Sequence, residues 1–105
     1  MELRKLQNLV ADFVERTGID TGEPLRMLDV VSEVGELAKE ILKSTEYGKK
    51  PFRPTAAWND ELGDVMFSLI CLANRTNVDL EAAVIQALKK YRHRVESKGD
   101  VGSGA

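Results

Sequence analysis

The chain has 105 residues, 30% of them charged, and a formal net charge of −2. That length allows one domain with a modest core, and that charge excludes a general nucleic-acid binder, which would be strongly basic. No apolar run reaches membrane-span length and no signal peptide opens the chain; the single cysteine, Cys71, excludes an internal disulfide framework and is expected to be a buried free thiol in a cytoplasmic protein.

Three prolines, Pro24, Pro51 and Pro54, sit in turn-like stretches and divide the chain into four helical segments. The first is expected over 2–16, where Leu3, Leu6, Val10, Phe13 and Val14 recur at helical spacing and Gly18 can end the helix. The second begins near Pro24, a favoured first-turn residue, and runs to about Ser44. On a wheel of ~100° per residue, Met27, Leu28, Val31, Val34, Ala38, Ile41 and Leu42 share one side, while Asp29, Glu33, Glu36 and Glu40 share another. After the connector "TEYGKKPFRP" the third covers roughly 55–76, with Trp58, Leu62, Val65, Leu69, Leu72 and Ala73 on one stripe. The fourth follows "NVD", with Asp79 as its N-cap, and continues to about Glu96. That short turn predicts that the third and fourth helices are antiparallel neighbours. No segment alternates with a period of two, so the expected fold class is all-α, a four-helix bundle-like protomer. One domain over 1–97 and a flexible tail over 98–105 are expected.

The third helix also carries Met66, Phe67, Ile70 and Cys71, which spread its apolar surface round most of the circumference. A helix of that kind must be buried nearly all round. The economical explanation is a homo-oligomer, with Phe67, Ile70 or Cys71 at or near the subunit contact.

Glu33 and Glu36 are three apart with Gly35 between them, and Glu61 and Asp64 repeat the pattern around Gly63. For the second helix alone, a solvated acidic stripe paired with Lys39 and Lys43 would suffice. The second pair, however, lies beside the apolar stripe of a helix with little polar surface, where charges need partners or metal. Each glycine costs about 1 kcal/mol of helix propensity relative to alanine; close backbone approach, bringing the two carboxylate pairs together, would explain them. Four facing carboxylates repel, and a hard divalent cation resolves the repulsion. Oxygen ligands without His or Cys select Mg²⁺, Mn²⁺ or Ca²⁺. Mg²⁺ keeps waters and binds phosphates beside carboxylates, which suits phosphate-ester chemistry.

The stretches "EVGELAKE" and "DELGDVMFSLICLANRTNVDLEAAV" resemble the MazG-like nucleotide pyrophosphohydrolases of the all-α NTP pyrophosphatase superfamily, over about residues 25–95. The signature of that family is E-x-x-E, a spacer, then E-x-x-D; Glu33, Glu36, Glu61 and Asp64 match it with 24 residues between the pairs. The resemblance implies Mg²⁺ ligation by those four residues, with Mn²⁺ as a substitute. It also implies hydrolysis of a (d)NTP between the α- and β-phosphates, as a house-cleaning activity on the nucleotide pool. A dimer or a dimer of dimers is the implied assembly, with no nucleic-acid or membrane partner.

Lys90 and Arg94 share one face of the fourth helix and resemble the family's K-F-x-x-R ending, linked to phosphate binding, although Leu88 stands where an Asn is often found. Cations near a helix C-terminus also favour the helix dipole. Trp58, one turn before Glu61, either stacks on a nucleobase or packs in the core. Lys49, Lys50 and Arg53 in the connector could reach phosphate oxygens, and His93 has no partner pattern for catalysis. Two further functions compete: phosphoribosyl-ATP pyrophosphohydrolase, and a non-enzymatic helical dimerisation module with an incidental acidic stripe.

Overall fold

The computed structural model describes residues 2–99, apart from the side chain of Lys98. Its four helices are α1 (Leu3–Thr17), α2 (Glu23–Ser44), α3 (Ala56–Arg75) and α4 (Leu80–Lys98), with no strand among the described residues. The all-α class is therefore as the sequence predicts. From residue 100 onward, the tail expected over 98–105 lies outside the described residues. No helix among them is long and apolar enough to cross a membrane.

Local chemistry sets the helix ends. Gly18 ends α1 in the left-handed conformation (φ 68°), its N–H donating to the Val14 carbonyl. Pro24 occupies the first turn of α2. Thr55 caps α3 by accepting from the Trp58 N–H, and Asp79 caps α4 by accepting from the Ala82 N–H. Arg75, at the end of α3, donates to Asp20 at 2.6 Å and to Glu23 at 2.9 Å, tying the α1–α2 loop to α3. The Arg75 bond holds the Glu23 carboxyl below its ordinary range.

The dominant packing is α2 against α3, with α1 laid on another side of α3. Glu23 meets Arg75 at one end, and Glu61 feels the charges of Glu33, Glu36 and Glu40 further along, so the two helices run antiparallel. The least exposed positions of α2 are Arg26, Val30, Glu33, Leu37, Glu40 and Ser44. Their alternating spacing of four and three makes them one seam, which faces α3. The side richest in hydrophobics is turned outward: Met27, Leu28, Val31, Val34, Ile41 and Leu42 are all exposed. The acidic side supplies the seam.

On α3 the core positions are Ile70 (1% exposed) and Cys71 (4%), which pack with Val10, Leu6, Val14 and Phe67. Phe67 meets Phe13 edge-on at 6.2 Å. The sequence reading assigned Phe67, Ile70 or Cys71 to a subunit contact, but α1 covers that side of α3. Cys71 is the buried free thiol expected, and burial pushes its thiol up.

The expected pairing of α3 with α4 is also replaced. α4 packs chiefly on α1. The cause is Gln7, a buried residue of α1 inserted at the α3–α4 turn. Its amide donates to Asn74 Oδ1 (3.0 Å) and to the Val78 carbonyl (2.9 Å), and its oxygen accepts from the Leu80 N–H (2.9 Å). Asn74 returns a bond to the Gln7 carbonyl, and Arg4 pairs with Asp79 at 3.3 Å. Asn77 turns the chain with a left-handed φ of 57°.

Candidate metal centre

Glu33 lies on the α2 seam and Glu61 on the facing seam of α3, both half-buried; Asp64 follows one turn later and is exposed. One carboxylate oxygen from each lies within 4.8 Å of the others. Among the described residues no salt bridge reaches any of the three. Three carboxylates held this close by two packed helices, with no lysine or arginine paired to them, fit a hard divalent cation held by oxygen ligands.

Half-burial of Glu61, followed by the charges of Asp64, Glu36, Glu33 and Glu40, holds its carboxyl above the ordinary range. A raised carboxyl contributes stability below the unfolded value, and that stability is lost as pH rises through the folded value. Without metal, Glu61→Gln is therefore expected to melt above the parent at pH 7.5, and the difference should shrink as pH approaches 4.5. Apo melting curves of both proteins across that range check it.

Glu36, the fourth residue of the sequence pattern, is not in the three-way group; it is exposed and 3.9 Å from Lys39 Nζ, though its charge acts on Glu61. Asp29 is taken by Arg26 at 3.3 Å. Glu40 has a side chain only 21% exposed and lies on the α2 seam, 3.9 Å from Lys43 Nζ. The signal that could have found it was its seven-residue spacing from Glu33. Buried Arg26 sits on that same repeat.

The two glycines do not serve the approach of α2 to α3. A Cβ added at Gly35 or Gly63 would meet nothing within 4 Å. Trp58 is half-buried and packs edge-on against Phe52 at 5.0 Å, one turn before Glu61. Lys90 and Arg94 lie on α4, which packs chiefly on α1. The Lys90 ammonium and the Arg94 guanidinium flank the Tyr91 ring at 5.2 and 5.6 Å. Lys50 pairs with Glu46 at 3.2 Å, and His93 is exposed.

Residues 23–98 match the MazG nucleotide pyrophosphohydrolase domain. The chain belongs to that family. It is 38% identical to mouse dCTP pyrophosphatase 1 over 98 residues, covering 88% of this chain and 58% of the relative. It is 39% identical to YpjD of Bacillus subtilis over 75 residues, 68% of this chain and 66% of YpjD. This MazG-domain chain thus spans about three-fifths to two-thirds of the length of those curated relatives. Among solved structures it resembles the Bacillus-conserved MazG protein, a nucleotide pyrophosphohydrolase, with a TM-score of 0.73 at 29% identity over 87% of this chain and 89% of the other. YpjD superposes with a TM-score of 0.71 at 30% identity over 90% and 96% of the two chains.

Proposed function

We propose that the chain is a Mg²⁺-dependent pyrophosphohydrolase that cleaves (d)NTPs between the α- and β-phosphates. The products are the monophosphate and pyrophosphate, and the role is house-cleaning of the cytoplasmic nucleotide pool. The observation that carries the reading is the meeting of Glu33, Glu61 and Asp64 oxygens across two antiparallel helices. These three would hold the ion, with Glu36 on the adjoining turn as the fourth ligand; Mn²⁺ is the expected substitute. A divalent ion bound there supplies charge neutralisation for phosphoryl oxygens and a more acidic water. The chain's part is positional. Packing of α2 on α3 fixes the Glu33 and Glu61 backbones.

Substrate contacts belong to the same proposal. Trp58, already edge-on to Phe52, offers a ring face for a base, and Lys90 and Arg94 offer cations for phosphate oxygens. The proposed assembly is a homo-oligomer, a dimer or a dimer of dimers. The dCTP pyrophosphatase relatives make dCTP the first substrate to try. The test is a screen of all NTPs and dNTPs with Mg²⁺, with products resolved by phosphorus NMR. Equimolar monophosphate and pyrophosphate is the expected result. Release of orthophosphate, or no turnover of any nucleotide, would overturn the reading.

A further inference from the structure

Between the second half of α1, the last turns of α3 and the α1–α2 loop lies an open cleft of about 400 Å³. A hollow of that size suits a small organic ligand. It is remote from the carboxylate centre: Cys71, on its wall, is ten residues beyond Glu61, ~15 Å along the α3 axis.

Small residues make the hollow. Ala11 and Gly18 are seven residues apart, so they share the face of α1 that overlooks the cleft. Neither has a side chain that crosses it, and a Cβ added at Gly18 would meet nothing within 4 Å. Val14, between them, and Cys71 opposite complete an apolar wall.

The rim is charged, and its charges do not balance. Glu15 makes no hydrogen bond or salt bridge among the described residues. Asp20 accepts from Arg75 through Oδ2, while its Oδ1 accepts nothing among the described residues. Arg75, the cation that lines the cleft, already holds Asp20 at 2.6 Å and Glu23 at 2.9 Å. Three carboxylates thus stand against one guanidinium, and a phosphate or carboxylate ligand would be repelled. A hard metal ion is no better match. Glu15 and Asp20 do not join a third carboxylate in a close group, and the wall behind them is carbon and sulfur, where such an ion needs six or more oxygens.

We propose that this cleft binds a small organic amine. Its ammonium sits at the rim between Glu15 and Asp20 Oδ1, and a short apolar body lies against Ala11, Val14 and Cys71. The apolar wall supplies most of the contact area and the two carboxylates select the charge.

Benzylamine is the probe, with benzyl alcohol and benzoate as its neutral and anionic counterparts on the same ring. Proton–nitrogen NMR of the parent, titrated without nucleotide or metal, should show benzylamine moving the Val14, Gly18 and Asn74 amides along one saturable millimolar curve. Benzoate should bind at least about 10-fold more weakly. Glu15→Gln, at an exposed position, should weaken benzylamine about 5-fold, the worth of one exposed ion pair, and leave benzyl alcohol unchanged. Ala11→Leu fills the cleft from an exposed helix position with another good helix former, so it should keep Tm and lose the binding of all three probes. Absence of a saturable shift at Val14, Gly18 and Asn74 would overturn the proposal. So would benzylamine shifts centred on Glu33 and Glu61, which mark a counter-ion of the acidic seam. Benzoate that binds as tightly as benzylamine, or full benzylamine affinity in Ala11→Leu, would overturn it as well.

Discussion

Asp64→Asn is expected to fold as the parent does and to lose roughly 10²–10³ in Mg²⁺-dependent turnover. The two halves of that result have different causes. Asp64 is exposed and makes no salt bridge among the described residues, so replacing its carboxylate removes no packing and relieves repulsion on Glu61. Apo melting should therefore stay level or rise. Activity should fall because one of the four proposed oxygen ligands is replaced by a weaker, neutral one. Glu36→Gln should lose activity by a smaller factor, since its carboxylate is exposed and engaged with Lys39. Glu40→Gln should keep most of it, because Glu40 is paired with Lys43 and outside the three-way group. Turnover and apo melting of the three variants, measured together, check the dissociation. Near-parental activity in Asp64→Asn would remove that residue from the site, and a collapsed fold would make the acidic stripe structural.

The largest effect on stability is expected at Gln7. Its amide makes three bonds at the α3–α4 turn, two of them to backbone groups of Val78 and Leu80. Gln7→Ala strands those groups in a part-buried pocket and leaves a small void. A stranded buried group costs about 1–3 kcal/mol, so the total should be about 2–4 kcal/mol. For a domain of this size that lowers Tm by roughly 10 °C or more. Asn8→Ala, one residue on and exposed, should change Tm little. Paired melting curves of the two variants, read beside the parent, separate a loss at this pin from a general loss of helix.

The element pattern was legible because its signals are local. Gly18, Pro24 and Asp79 each act through their own backbone neighbourhood, and each sits where the sequence puts it. Glu33, Glu61 and Asp64 were legible for a related reason. The repeated spacing around a glycine places carboxylates on facing turns once α2 and α3 pack. Less legible was the outward turn of the apolar side of α2. α2 carries two seven-residue seams about 100° apart, and apolarity picks the one that this chain leaves open. The seam that α3 covers contains Arg26, Glu33 and Glu40, which burial preference argues against. The course of α4 was illegible because it depends on one glutamine of α1, sixty-seven residues from Asn74 in sequence, and not on the length of the turn. The glycines between the carboxylates met open space, so close helix approach was the wrong reason for them.

The most direct measurement of the central claim is Mn²⁺ binding without nucleotide, followed by paramagnetic resonance, in the parent and in Glu61→Gln and Glu40→Gln. If Glu33, Glu61 and Asp64 hold the ion, the parent and Glu40→Gln should deplete free Mn²⁺ alike, while Glu61→Gln binds at least about 10-fold more weakly. Equal binding by all three proteins would contradict a metal centre at this cluster.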